Sequence, residues 1–187
     1  MSKLVESDVM QAGIEPDIGI EASSRKSVIR ILSNLLADEY VLYTKTRNYH
    51  WNVYGPHFHD LHVFFEEQYK ELEESIDEVA ERITTLGGKA IATLKEFTQY
   101  ARLEESPKDY PNAAKMIENL CKDHEETIKV LRKDADACEE KYEDMGTNDF
   151  LIGLMQKHEK MAWMLRQAID ERGVKAATGR GQAAAST

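Results

Sequence analysis

The chain of 187 residues has only two cysteines, four prolines and ten glycines, and each scarcity closes off a class of structure. Cys121 and Cys138 fall in one helical-looking segment, about 25 Å apart along a helix axis, and cannot pair with each other. A disulfide-stapled secreted domain is therefore excluded, and two lone thiols packed between helices match a reducing compartment, the cytoplasm. The prolines and glycines gather at joints, Gly55-Pro56, Gly87-Gly88, Pro107, Pro111, Gly146 and Gly173, and no alternating strand pattern fills the stretches between them. No run approaches the roughly 18 apolar residues of a membrane span, and the opening MSKLVESDVMQAG has no apolar signal core, so no membrane partner is expected. Positive charge is also in deficit. Against 34 acidic residues stand 24 basic ones, a net charge of −10 that argues against a surface built to hold nucleic acid and favours cations as partners.

What is present is helical periodicity. From about Ser24 to Trp51, Val28, Ile31, Leu32, Leu35, Leu36, Leu42 and Tyr43 recur at three-and-four spacing behind serines able to cap the start. After Gly55-Pro56, a run from about His57 to Leu86 repeats Leu61, Phe65, Tyr69, Leu72, Ile76, Val79 and Ile83, with Gly87-Gly88 as a left-handed stop. Thr93-Leu94-Lys95-Glu96 has the capping-box pattern of a short helix. A third long helix follows Pro111 and ends before Gly146, and a fourth, capped by Thr147, continues to Gly173. The expected fold is all-α: a ferritin-like four-helix bundle over residues 24–172, with a short helix in the crossover between the second and third long helices. Residues 1–23, with one basic and five acidic side chains, and the small, polar, aperiodic 173–187 read as mobile tails.

The second helix carries the chemistry. At about 100° per residue, with His62 at zero, Glu66 falls near ~40°, Asp77 near ~60° and Glu81 near ~100°, on one strip bordering the apolar stripe. His50, just before the Gly55-Pro56 turn, can neighbour His62. Two histidines and three carboxylates suit a borderline divalent metal such as iron, while the lack of thiolates speaks against structural zinc. Glu66 and Asp77 are eleven residues apart, about 16 Å of helix rise, so they cannot bind one ion within one chain. A two-fold axis near Glu71–Leu72 would bring the histidine end of one subunit to the Asp77/Glu81 end of its mate. Glu67, Glu71, Glu74 and Glu78 form a second acidic set, either a solvated face or the lining of a cavity where ferric ions are held. His57 and His59 read as surface residues at a helix start, and His124 and His158 have no acidic partner at an informative spacing. No histidine follows a glutamate by three residues, so the Glu-x-x-His pair of a di-iron centre inside the bundle is missing.

The stretch Thr46 to Gly88 resembles the Dps family, the miniferritins named as DNA-binding proteins from starved cells. His50-Trp51-Asn52, His62, an acid at 66, Asp77-Glu78-Val79-Ala80-Glu81-Arg82 and Leu86-Gly87-Gly88 carry the match, with Glu66 where Asp is the commoner family residue. The resemblance implies a homododecameric shell whose interfacial centres oxidise Fe(II), preferably with hydrogen peroxide rather than dioxygen, and store the Fe(III) product inside. It implies that Asp77 and Glu81 anchor iron from one subunit, that His50 completes the site from the other, and that His62 and Glu66 serve a second, weaker position. Trp51 would stand beside the site as packing or as a sacrificial electron donor. Asp144 and Asp149, flanking the last turn, are candidates for an acidic pore admitting ions. The alternative is a structural or DNA-compacting shell without significant ferroxidase activity. The acidic N-terminal segment and the two basic side chains of the last fifteen residues favour weak or no DNA binding.

Overall fold

The computed structural model describes Gly13 and residues 15–169; the greater part of the expected N-terminal tail, and the whole of the C-terminal one, lie outside the described residues. Five helices follow in order: α1 (Ala22–Asn52), α2 (Phe58–Thr85), α3 (Leu94–Tyr100), α4 (Ala113–Glu140) and α5 (Met145–Ala168). Among the described residues there is no strand, and no helix long and apolar enough to cross a membrane. The fold is the all-α four-helix bundle, with α3 as the crossover helix between its second and third members.

The stripes read from the sequence are the faces that meet. Hairpin α1–α2 packs against hairpin α4–α5, and Leu32, Leu35, Leu42, Phe65, Leu72, Val79, Leu120, Leu131, Leu151 and Leu165 lose all contact with water. Each contributes about 1.5–3 kcal/mol relative to the exposed side chain. Cys121 and Cys138 are both free and buried in this packing, and burial pushes the Cys138 thiol up to about 12, which makes it inert.

The joints obey local chemistry, with two corrections. Gly87 (φ 85°) ends α2 in a Schellman turn: its own N–H donates to Thr84 O and that of Gly88 to Ile83 O. The expected capping box of α3 is present, Glu96 N–H donating to Thr93 Oγ1 and Thr93 N–H to Glu96 Oε2. At α1, however, the cap residue is Glu21 and no serine side chain caps it; Arg25 instead reaches back to the Ile20 carbonyl at 2.7 Å and binds residues 15–21 against the helix. At α5 the cap is Asp144, three residues before the expected Thr147. Its Oδ1 accepts from Thr147 N–H at 2.8 Å and its Oδ2 from the Thr147 hydroxyl at 2.6 Å. A carboxylate at a helix N-terminus satisfies free N–H groups and faces the positive end of the dipole, so it displaces a hydroxyl in that role.

Candidate metal centre

The five residues expected to bind metal fall into two groups on one hairpin, buried to half-buried His50, His62 and Glu66 at one end and exposed Asp77 and Glu81 at the other. The loop between α1 and α2 turns at Gly55, whose φ of 113° is open to glycine and strained for other residues. That turn stacks the last histidine of α1 on the first turns of α2. The His50 and His62 rings lie 3.7 Å apart and 21° from parallel, flanked by Phe58 on one side and the edge of Tyr69 on the other.

The hydrogen bonds within this pair are reciprocal. His50 Nδ1 donates to the His62 carbonyl at 2.8 Å, and His62 Nδ1 donates to the His50 carbonyl at 2.8 Å. A carbonyl only accepts, so each Nδ1 carries the hydrogen and each Nε2 keeps its lone pair free. Backbone groups that fix a histidine tautomer in this way orient the ring and raise its basicity toward a metal. One turn on, Glu66 is held by Lys70 at 2.6 Å, and this lysine first, then His50 and His62, keeps its carboxyl below the usual range.

Asp77 and Glu81 project from the far half of α2, both exposed, with no side-chain partner among the described residues. Because α2 is unbroken from Phe58 to Thr85, the two groups stay about 16 Å apart along the axis. No set of three or more histidine, cysteine, aspartate or glutamate side chains able to hold a metal ion occurs among the described residues.

The remaining candidates sort by their surroundings. Glu67 and Glu71 line a groove of about 520 Å³ between α2 and α5 together with Lys157 and Lys160, and Glu78 pairs with Lys157 at 2.9 Å, while Glu74 is exposed. Lysines of α5 thus offset part of this acidic set. Trp51 is 64% exposed, with the Arg47 guanidinium stacked 5.1 Å from its ring. Asp144 is 1% exposed and pairs with Arg82 at 3.0 Å, which makes it a structural cap; a group sealed within the protomer cannot line a pore between protomers. Asp149 is exposed. His124 and His158, which have no acidic partner at an informative spacing, meet each other in the core, and His158 also meets Glu39, which lies 119 positions before it, a distance no local spacing could reveal.

A bundle of this topology, with imidazoles and carboxylates on the edge of its second helix, defines a ferritin-like protein, and residues 29–172 match the ferritin-like domain family. The chain belongs to the Dps family. It is 41% identical over 147 residues to DNA protection during starvation protein 2 of Bacillus anthracis, covering 78% of this chain and 99% of that one. A low temperature-induced protein of Nostoc sp. is 47% identical over 154 residues, 82% of this chain and 86% of that protein. Among solved structures, a Dps protein from Bacillus brevis superposes with a TM-score of 0.75 at 34% identity, covering 81% of this chain and all of that one. DpsC from Streptomyces coelicolor reaches 0.81 at 28% identity, covering 85% and 92%.

Proposed function

We propose that this chain is an iron-detoxifying and iron-storing miniferritin. It oxidises Fe(II), preferably with hydrogen peroxide, at sites shared across a two-fold axis and keeps the Fe(III) product within a dodecameric shell. The observation that carries the reading is the reciprocal Nδ1–carbonyl lock, which leaves two Nε2 lone pairs open at one end of a helix whose unpartnered carboxylates are at the other. Kinship with Dps proteins and with the Vibrio cholerae Dps, a member of a superfamily of ferritin-like diiron-carboxylate proteins, supports iron as the substrate.

In this mechanism Asp77 and Glu81 of one subunit bind Fe(II) and His50 of the mate completes the set. His62 and Glu66 hold the second ion, with Lys70 released from Glu66 as the metal arrives. Two ferrous ions supply both electrons that peroxide needs: 2 Fe(II) + H₂O₂ + 2 H⁺ gives 2 Fe(III) + 2 H₂O, with no hydroxyl radical. Exposed Trp51, beside His50, is a donor for single-electron events. The ferric product collects on the exposed acids of the set Glu67, Glu71, Glu74 and Glu78, and Asp149 serves the ion route.

Subunit mixing tests the shared site. A variant lacking His50 and His62, and another lacking Asp77 and Glu81, should each oxidise ferrous iron no faster than buffer. Refolded together, random pairing makes about half the dimers mixed, each with one intact site of two, so roughly a quarter of the activity returns. No recovery in shells shown by mass spectrometry to be mixed would sink the interfacial site.

A further inference from the structure

The centre of the bundle holds a cluster that the surface site does not use. Glu39 of α1, His158 of α5 and His124 of α4 are all fully buried. His158 Nε2 lies 2.8 Å from Glu39 Oε1, and His158 Nδ1 lies 2.9 Å from His124 Nδ1. At the two ends of this chain, Glu39 Oε2 and His124 Nε2 are buried without a partner. Leaving such groups unpaired costs about 1–3 kcal/mol each, so with two orphan atoms at its ends the protonation state of the cluster decides how well the core tolerates it.

The distances choose between a metal and a proton. Two donors around a tetrahedral ion with bonds near 2.0 Å stand about 3.3 Å apart, and one ion cannot use both nitrogens of His158. Contacts of 2.8 and 2.9 Å are hydrogen-bond lengths. Two neutral imidazoles and a carboxylate supply two hydrogens, one for each contact, and leave a bare negative charge in a medium of low dielectric. A third hydrogen makes the cluster neutral, and the centre of the chain is where its charge meets the carboxylate directly.

We propose that Glu39, His158 and His124 form a sealed proton-binding site, in which His158 is an imidazolium held between the Glu39 carboxylate and the Nδ1 lone pair of a neutral His124, and that this proton ties the stability of the bundle to pH. His158 donates from Nε2 to Glu39 and from Nδ1 to His124, whose own hydrogen sits on Nε2. Burial, and then the neighbouring His158, hold the His124 imidazole well below its usual range, in keeping with its neutral role.

Among the described residues no other charge competes for the proton. On the same helices Asp38 is turned to Arg102, Asp123 to Lys45, Glu125 to Arg166 and Glu159 to Arg132. Cys121, one turn before His124, faces the Ala162 carbonyl at 3.8 Å. The buried face of α2 carries Phe65, Gln68, Leu72, Ser75, Val79 and Ile83 and has no ionisable side chain, and the buried residue of α3 is Phe97.

The linkage has a definite sign. Because the folded protein holds the His124 imidazole below the ordinary histidine value near pH ~6.5, the stability that its neutral form provides is complete above that pH and is lost as pH falls below it.

The test is solid-state NMR of assembled, full-length shells labelled with ¹⁵N-histidine, from pH 5.5 to 8.5, with His124→Gln and His158→Gln assigning the signals. The expected result is a His158 ring with both nitrogens protonated throughout, including at pH 8.5, where about 1% of free imidazole is charged. His124 should stay neutral throughout, and Glu39→Gln should render His158 neutral at pH 8.5. A wild-type His158 that is neutral at pH 8.5 overturns the proposal, as does a shift of both rings on adding Zn²⁺ or on chelation, which would make the site metallic. Neutron diffraction from wild-type crystals gives the same reading if the variants fail to fold.

Discussion

Two histidine pairs in this molecule sit in opposite environments, and the contrast separates binding from bearing load. His50 and His62 stack at the open end of α1–α2, spend Nδ1 on backbone carbonyls and keep Nε2 free at the edge of the bundle. His124 and His158 lie at its centre, where His158 spends both nitrogens inside the protein. The first pair has its geometry fixed and its Nε2 atoms unengaged, which is what the proposed iron site requires. The second has its chemistry consumed by the fold. The carboxylates divide in the same way: Asp77 and Glu81 are exposed and without a side-chain partner among the described residues, while Glu39 is sealed against His158.

That contrast can be broken from either side. The largest effect is expected from Asp77→Asn combined with Glu81→Gln, which should bring peroxide-driven ferrous oxidation down to the buffer rate while the unfolding free energy measured in urea changes by less than about 0.5 kcal/mol, as for other exposed sites. Glu39→Ala should do the reverse. Removing one partner of a buried ion pair costs about 3–5 kcal/mol, measured by urea unfolding at pH 7, and the shells that still assemble should keep the wild-type oxidation rate per site. Equal loss of oxidation in both variants would erase the distinction.

The pH dependence sharpens it. Because the folded protein depresses the His124 value below that of the unfolded chain, the stability that a neutral His124 provides is complete above pH ~6.5 and is lost as pH falls below it. The wild-type urea midpoint should therefore drop between pH 7 and 5.5, and drop less in His124→Gln. A smaller effect divides the two acids at the start of α5: Asp144→Ala should cost about 1–2 kcal/mol as a lost cap, whereas Asp149→Asn should leave the midpoint in place and slow iron uptake. The smallest is an absence of change: a gel shift at ~150 mM salt should show no tight complex with DNA, given a net charge of −10.

Much of this was legible beforehand because helices are local. The stripe from Val28 to Tyr43, the Gly87-Gly88 stop and the Thr93–Glu96 capping box each depend on residues within a few positions of one another, and all three appear in the structure. Cap choice at α5 is not legible in the sequence, because Asp144 and Thr147 both qualify by type. Arg82, 62 residues earlier, helps hold the carboxylate in place. The neighbours within the proposed site were legible for a related reason: His50 and His62 are separated by one short turn, and Glu66, Asp77 and Glu81 share a single helix.

The sequence by itself determined the helices, their apolar faces, the joints between them and the incompatibility of Glu66 and Asp77 with one ion, since each follows from a rise of 1.5 Å and a turn of 100° per residue. Tertiary structure alone decided which nitrogen each surface histidine leaves free, because that depends on a carbonyl presented by the other helix. It also decided that α5 lysines meet the acidic set of α2 and that Asp144 is a cap rather than a pore residue. Above all it brought Glu39, His124 and His158 together from three helices. A hydrogen bond across a packed core is set by the register of helices distant in sequence, and no periodicity within any one of them encodes that register.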